Sequence, residues 1–305
     1  MLLVLTACRK APTATVSWAF LDFPYDYDLT SVTSDTCGRW HIVGGFGWHK
    51  GIYFTIDGNQ VSTPDSLTPK RLNRITTAPG GKLVAVGYTG YYLQKPANAA
   101  WQTGHIFDNL NILRDVALDS HHTGIAVAGV AFHIGYAFTI HDNGQTIRAD
   151  TFEQELRACA FLPGERAVAS GYGIIIQRDS AMQWHRLPYY GDFFLDMAFP
   201  APDTGYIIGH AGSLLKTTDG GHHWQMLQHH TTTGRNGWRA VYFTDTSTGF
   251  IAGDDGLLLK TTDGGHSWIR AGGLPALPFY DVHVCDTTGL LIGAGGTIIQ
   301  FDPDF

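Results

Sequence analysis

Residues 214–224 read LLKTTDGGHHW, and residues 258–268 read LLKTTDGGHSW, 44 positions further along the chain. Both stretches keep four residues at the spacing Thr-x-Asp-x-Gly-x-x-Trp: Thr217, Asp219, Gly221 and Trp224 in the first, Thr261, Asp263, Gly265 and Trp268 in the second. A single catalytic centre would not need the same residues twice. The duplication therefore indicates a repeated structural unit, and further copies are expected elsewhere in the chain.

The repeated unit extends over most of the chain, in more divergent copies. Each copy has one apolar anchor position, occupied by Val32, Ile75, Val116, Cys159, Met197, Val241 and Val282. Successive anchors are 38 to 44 residues apart, and a glycine follows each by 11 to 13 residues: Gly44, Gly87, Gly129, Gly171, Gly209, Gly253 and Gly293. Seven copies at this regularity predict a repeat architecture.

Within one copy the hydrophobic pattern has period two and is interrupted by turn residues. The clearest copy contains the segments RAVYF, GFIAG, LLLKTT and HSWIRA, separated by TDTST, DDG and DGG. Four short antiparallel strands in about 42 residues are typical of a propeller blade. The sequence therefore predicts an all-β fold, a seven-bladed β-propeller with four antiparallel strands per blade.

The two ends of the chain predict how the ring closes. The seventh copy stops after its third strand, GTIIQFD, whereas TVSWAFLD at residues 15–22 belongs to no copy. Trp18 fits the tryptophan position of a fourth strand. We expect the N-terminal strand to complete blade seven, which would remove an open sheet edge. The predicted domain is residues 15–305, preceded by a signal remnant and tether at 1–14.

The repeated motif has a structural explanation. Aspartate accepts hydrogen bonds from backbone N–H groups of its own turn, glycine supplies a positive φ, and tryptophan can pack between blades. The motif resembles the Asp-box, or BNR repeat, of sialidases and related propellers. That resemblance implies a structural role, on the face opposite the catalytic centre of those enzymes.

The whole unit, GWRAVYFTDTSTGFIAGDDGLLLKTTDGGHSW at residues 237–268, resembles the photosystem II stability/assembly factor-like family. The resemblance extends over residues 15–305. It implies a seven-bladed BNR propeller with a binding rather than a catalytic role, and many bacterial relatives are exported. It is specific for the fold and weak for function, because one scaffold carries many activities.

The N-terminus, MLLVLTAC, resembles the lipobox of a bacterial lipoprotein, with Cys8 as the lipidated residue. Only seven residues precede Cys8, fewer than a signal peptide needs, so a plain apolar terminus is the alternative. We expect an exported, membrane-anchored lipoprotein facing the periplasm or the cell surface. The other cysteines, Cys37, Cys159 and Cys285, are too scattered to predict a disulfide framework or a CxxC metal pair.

Composition disfavours several function classes. The net charge of −7 disfavours nucleic-acid binding, which needs a basic field. Adjacent histidines, such as His121 and His122, point to opposite faces of a strand, so we expect no metal site. No motif indicates a cofactor, so we expect none. We expect a monomer.

A binding site is expected on the face that carries the loops leading into each first strand. Arg114, Arg157 and Arg239 lie two residues before their anchors and Arg74 lies one before, so they could form a partial cationic ring in the channel. Asp115, Asp196 and Asp281 lie one residue before their anchors. In the alternative interpretation these charges pair with one another as structural ion pairs.

Uneven aromatic loops on the same face add candidates for binding: Trp48 and His49 in the turn at 44–51, Tyr190 in LPYYGDFF and Tyr280 in LPALPFY. Such loops favour recognition of a protein segment or a glycan, although they can also simply cap the ring. A sialidase-like glycoside hydrolase is an alternative, but the Arg-Ile-Pro signature is missing and glutamates are scarce. A purely structural surface lipoprotein is the second alternative.

Overall fold

A computed structural model describes residues 11–36, 38–106, 112–119, 123–229 and 237–305. Cys8, Cys37, His121 and His122 lie outside these ranges. Within them the chain forms seven sheets, antiparallel apart from one parallel edge pair in blade six, and no α-helix, which confirms the seven-bladed propeller. The first strands of neighbouring blades contact one another around the ring and line a central channel.

The strands follow the repeat in chain order. Blade one contains β3 (Asp28–Thr36), β4 (Arg39–Phe46), β5 (Lys50–Asp57), β6 (Gln60–Val61) and β7 (Asp65–Thr68), the last also pairing with β5. Blades two and three contain β8 (Leu72–Ala78), β9 (Lys82–Gly87), β10 (Tyr91–Lys95), β11 (Gln102–His105), β12 (Ile112–Leu118), β13 (Thr123–Val130), β14 (Ile134–His141) and β15 (Thr146–Phe152). Blades four and five contain β16 (Leu156–Leu162), β17 (Arg166–Gly171), β18 (Ile174–Arg178), β19 (Trp184–Arg186), β20 (Phe194–Ala198), β21 (Gly205–Gly209), β22 (Leu214–Thr217) and β23 (Gln225–Gln228). Blades six and seven contain β24 (Trp238–Phe243), β25 (Gly249–Gly253), β26 (Leu258–Thr261), β27 (Ile269–Gly272), β28 (Phe279–Cys285), β29 (Thr288–Gly293) and β30 (Ile298–Phe301).

The N-terminal segment closes the ring as predicted. Strand β2 (Trp18–Phe20) pairs antiparallel with β30, with Trp18 opposite Phe301, and supplies the fourth strand of blade seven. The structure adds a strand that the sequence did not indicate: β1 (Thr13–Thr15) pairs in parallel with β27 on the outer edge of blade six. Strand pairing thus begins at Thr13, ahead of residue 15, the predicted first residue of the propeller.

The recurring glycines allow the loops between blades to lie against the second strands. An added Cβ at Gly171 would come within 1.9 Å of the Glu155 carbonyl oxygen, and one at Gly253 within 2.0 Å of the Gly237 carbonyl oxygen. A side chain cannot fit at such distances, so the backbones could not approach each other. The glycine of the repeat is therefore a packing requirement.

The two DGG turns (217–224 and 261–268) are held by hydrogen bonds inside the turn. The Gly265 N–H donates to Thr261 Oγ1 over 3.0 Å, Thr261 Oγ1 donates to Asp263 Oδ1 over 2.8 Å, and the Ser267 N–H donates to the same oxygen over 2.8 Å. The first turn repeats the pattern, with Thr217, Asp219 and the Gly221 N–H. These bonds account for the threonine, aspartate and glycine of the motif.

The tryptophans of the DGG turns fill the spaces between blades. Trp224 packs with Leu162 and Val168 of blade four, and Trp268 packs with Tyr206 and Ile208 of blade five. Both side chains are buried. Because the turns join third and fourth strands of antiparallel sheets, they lie at the end of the ring opposite the loops that connect successive blades.

Candidate functional site at the channel mouth

A cavity of about 290 Å³ opens at the end of the channel where the inter-blade loops lie. Each blade contributes to its lining the residue two positions before its anchor: Thr30, Asn73, Arg114, Arg157, Leu195, Arg239 and Tyr280. All seven are skipped in the pairing of first and second strands, because each first strand has a register shift at that residue. A bulged residue leaves the hydrogen-bond ladder and can be re-aimed. We call this set the bulge ring.

The structure brings some of the predicted site residues together and separates others. Arg114, Arg157, Arg239 and Tyr280 belong to the bulge ring, and Arg74 lies just below it at the cavity floor. The remaining candidates lie on the same face but outside the cavity lining. Trp48 packs against Tyr88 with ring centroids 4.9 Å apart, His49 stacks at 6.1 Å on Phe46, and Tyr190 lies 5.5 Å from the guanidinium of Arg186.

Two arginines of the ring share one carboxylate. Arg114 Nη2 lies 2.8 Å and Arg157 Nη1 lies 3.0 Å from the same oxygen, Oε1 of the buried Glu155. The other oxygen, Oε2, accepts a hydrogen bond from the Phe132 N–H over 3.1 Å. Burial, and next the neighbouring Arg157, lower the pKa of Arg114 to about 10, against the opposite effect of Glu155. One negative charge thus faces two guanidinium groups.

The other cations of the mouth are paired more evenly. Arg239 contacts Asp254 with Nε 2.5 Å from Oδ1, and the Arg239 guanidinium lies 5.3 Å from the centroid of the Tyr280 ring. Arg71 lies 3.5 Å from Asp28 and stacks over Tyr88. The arginines of the mouth thus line one cavity, and each also has an acidic partner.

Below the bulge ring, Arg74 is surrounded by three aspartates. Its nitrogens lie 3.2 Å from Asp115, 3.4 Å from Asp196 and 4.0 Å from Asp281. Each aspartate also accepts a backbone N–H from the next blade: Asp115 from Cys159, Asp196 from Val241 and Asp281 from Val32, each over 2.9 Å. These carboxylates therefore tie three pairs of neighbouring blades together, three to four, five to six and seven to one, and Arg74 joins the three ties.

The charges of this floor do not balance, since one guanidinium faces three carboxylates. Burial raises the pKa of Asp196 to about 7, and the attraction of Arg74 offsets only part of the effect. Burial likewise raises the pKa of Asp281. Although burial works to lower the pKa of Arg74, the carboxylates of Asp196, Asp115 and Asp281 together raise it. Arg74 therefore stays charged, and a proton is most readily taken up by an aspartate.

Sequence reasoning did not find the acids that hold the ring arginines, Glu155 and Asp254, nor Arg71 and Asp28. Glu155 directly precedes the first strand of blade four, and Asp254 directly follows the recurring glycine of blade six. An acid next to a recurring glycine or just before a first strand is the signal that could have indicated them. Arg157 is two residues from Glu155 and Arg239 is fifteen from Asp254, whereas Arg114 lies on the first strand of the preceding blade, so no fixed spacing connects acid and arginine.

The described residues contain no group of three or more histidine, cysteine, aspartate or glutamate side chains that could hold a metal ion. Cys159 is a buried free thiol, as its core position indicated. Cys285 is disulfide-bonded, which the scattered spacing of the cysteines did not predict. Among the residues that the structure describes, no helix is long and apolar enough to cross a membrane.

The geometry can be compared with known proteins. Residues 176–298 match the family model described as photosynthesis system II assembly factor YCF48. The match runs from β18 of blade four to β30 of blade seven and includes both DGG turns. It confirms the resemblance that the sequence indicated. No curated protein matches the sequence.

Solved structures of YCF48 have the same fold. YCF48 from Cyanidioschyzon merolae superimposes with a TM-score of 0.65 at 15% identity, covering 94% of this chain and 99% of that one. A structure of YCF48 bound to a D1 peptide gives 0.70 at 16%, with 96% and 99% covered. Virginiamycin B lyase from Staphylococcus aureus gives 0.75 at 8%, with 94% and 99% covered. Since a lyase matches as well as YCF48 does, these similarities establish the propeller fold alone, and the function must be argued from the residues of the site.

Proposed function

We propose that the chain is a non-catalytic assembly module that binds a segment of another protein at the channel mouth. The observation that carries the proposal is the composition of the bulge ring. The ring presents three arginines and the polar Thr30, Asn73 and Tyr280 to the cavity, with no acid among its seven members. The match to YCF48, and the YCF48 structure with a D1 peptide, support a protein segment as the ligand.

The charges around Glu155 favour a carboxylate on that segment. Because Arg114 and Arg157 share a single carboxylate oxygen, an incoming carboxylate adds hydrogen bonds without displacing an acid. The Arg114 Nε–H has no acceptor within the described part of the chain. A glycan is the alternative ligand, but Arg239 lies over the Tyr280 ring on which a sugar would stack.

Export and lipid anchoring at Cys8 form the second part of the proposal. The lipobox-like LTAC sequence supports it, and so does the disulfide at Cys285, because disulfides persist in oxidising compartments outside the cytosol. Labelling with radioactive palmitate in a bacterial host tests this: incorporation into the native chain and none into Cys8→Ser is expected. Unlabelled native protein would contradict the anchor. We further propose a monomer, which light scattering tests.

A glycoside hydrolase needs two available carboxyls, and three aspartates do converge near Arg74. Each is nonetheless engaged on both oxygens. Asp196 uses Oδ1 for Arg74 and Oδ2 for the Val241 N–H, and Asp281 receives the Val282 and Val32 N–H groups on Oδ1 and Oδ2. This engagement favours structural aspartates over an acid–nucleophile pair. Turnover of fluorogenic glycosides that disappears in Asp196→Asn would support the hydrolase instead.

The binding proposal is tested by capture of acidic peptides on immobilised protein. Arg157→Ala and Arg239→Ala should each weaken capture about tenfold or more, because a charge-assisted hydrogen bond is lost. Arg39→Ala is the matched control, since Arg39 also pairs with an aspartate, Asp57, but begins β4, directly after the turn from β3 at the opposite face. Equal capture by the ring variants and the control would contradict the proposal.

A further inference from the structure

Three aromatic rings form an exposed patch beside the channel mouth. Phe132 lies between β13 and β14, Tyr172 between β17 and β18, and Phe193 just before β20, so three consecutive blades contribute. The ring centroids are 5.2 to 5.9 Å apart. Phe132 is 50% exposed and Tyr172 is 48% exposed. We call these three residues the aromatic shelf.

The backbone holds Phe132 in a conformation that a phenylalanine rarely adopts. Its φ is +67°, and it is the only aromatic among the non-glycine residues with positive φ in the described ranges. The Phe132 N–H donates to Glu155 Oε2, the same carboxylate that holds Arg114 and Arg157. Glycine or asparagine would reach this φ with less strain. A bulky apolar ring that is kept strained and exposed to water indicates a contact surface.

A cavity of about 370 Å³ adjoins the shelf. It is lined by Tyr172, Phe193, Gly173, Gly191 and Ala211, and also by His210, whose Nε2 lies 3.2 Å from Oδ2 of Asp254. Asp192 also borders it, but its carboxylate receives the N–H groups of Phe193, Ala211 and Ser213 over 2.7 to 3.0 Å. Because this acid is occupied by the backbone, the cavity offers mainly ring faces and small residues, which suit an apolar side chain.

The shelf is continuous with the bulge ring. The Arg157 guanidinium lies 5.2 Å from the Phe193 ring centroid, and the same arginine lines the channel mouth. An extended chain advances about 3.3–3.6 Å per residue, so a side chain one or two residues from a carboxylate at Arg157 reaches the shelf.

We propose that the aromatic shelf is a second subsite for the same partner segment, and that it takes an aromatic or large aliphatic side chain one or two residues from the acidic group held by Arg114 and Arg157. The inference rests on the proposed function. It defines the partner more closely, as an acidic segment with an adjacent large apolar residue. The reason is that the arginines, which attract an acidic group, lie next to the aromatic rings, which contact an apolar side chain.

The first test selects binders from a random-peptide phage library on the native protein, on Phe132→Asn/Tyr172→Ser and on Arg157→Ala. Asparagine suits the positive φ of residue 132 and both shelf side chains are half exposed, so the shelf variant should keep its fold. Ile147→Ser is the control: Ile147 is 48% exposed on β15, away from the mouth. We expect native protein and control to enrich an acid one or two residues from an aromatic or large aliphatic residue.

The outcomes separate the shelf from the function on which it rests. The shelf variant should lose the apolar enrichment and keep the acidic one, and Arg157→Ala should do the reverse. Acidic enrichment on the native protein without an apolar neighbour would overturn the shelf and leave the ring proposal intact. Absence of acidic enrichment on the native protein would overturn both.

The second test measures affinity with matched synthetic peptides. A selected peptide and its copy with the apolar residue replaced by serine should differ about tenfold or more on native protein, the effect of burying one large apolar side chain. On the shelf variant the two should bind equally. An unchanged tenfold difference there would refute the assignment.

Discussion

Replacing Asp196 with asparagine tests whether the floor of the channel mouth contains more negative charge than Arg74 can balance. Asparagine keeps an oxygen that can accept the Val241 N–H, which Asp196 accepts over 2.9 Å. It removes the carboxylate, whose pKa rises from 3.8 to about 7 because the side chain is buried. The substitution thus removes a titration while preserving the tie between blades five and six.

The sign of the effect follows from proton binding. Between pH 3.8 and about 7 the folded protein holds a proton on Asp196 that the unfolded chain releases. Stability therefore falls as pH rises through this window, by about 1.4 kcal/mol per pH unit from this group and by about 4 kcal/mol in all. The raised pKa of Asp281 acts in the same direction. Asp196→Asn loses its own share of this dependence.

Urea unfolding of native protein and Asp196→Asn at about pH 5 and about pH 8 measures the difference. We expect the variant to gain stability relative to native protein as pH rises, by an amount of the order of a few kcal/mol. Asp57→Asn is the control, because Asp57 is a surface carboxylate, 67% exposed, and reports the removal of one negative charge alone. The unbalanced charge of the floor would be refuted if the difference in free energy of unfolding between variant and native protein were the same at both pH values, or shifted in favour of native protein as pH rises.

Further predictions concern the floor, the DGG turns and the recurring glycines. Arg74→Met should lower the free energy of unfolding by about 3–5 kcal/mol, because it leaves buried carboxylates without a cation; loss of less than about 1 kcal/mol in urea unfolding would contradict this. Thr261→Ala removes three hydrogen bonds and should cost about 1–3 kcal/mol, whereas Thr261→Ser should retain most of the native melting temperature. Gly171→Ala places a Cβ 1.9 Å from a carbonyl oxygen and should destabilise the protein by about 1–3 kcal/mol or more. Gly104→Ala is the control, because the nearest atom to its added Cβ is 3.8 Å away. Equal melting temperatures of the two variants would contradict the packing role of Gly171. Hydrogen bonds hold the pKa of Asp263 at about 2, against the opposing effect of burial. The contribution of the ionised Asp263 carboxylate to the free energy of unfolding should be complete above pH 3.8 and disappear as pH falls through about 2. In unfolding measured as a function of pH, Asp263→Asn should lack this contribution.

The sequence predicted what repeats. The blade count, the strand order, the closing strand and the role of the DGG turns follow from patterns confined to about 42 residues, within which each sheet forms mostly local pairs. Strand β1 has no such pattern, since three residues of parallel pairing carry no period. The pairing of Glu155 with Arg114 crosses from the loop before blade four to the first strand of blade three. A contact between residues of two different copies cannot be recognised by aligning the copies with one another.

The bulge in each first strand explains why the sequence predicts the place of the candidate site but not the acids that hold its arginines. The residue one position before the anchor is in the ladder, and there Asp115, Asp196 and Asp281 tie blades together. The residue two positions before is outside the ladder, so no strand partner fixes its side chain, and Thr30 and Asn73 use this freedom to donate to carbonyl oxygens of the next blade. Seven blades can then carry seven different residues at that position without disturbing the ring. Specificity for a partner can change at the bulge ring while the neighbouring position preserves the fold, and so the rim variants Arg157→Ala and Arg239→Ala should affect binding far more than stability.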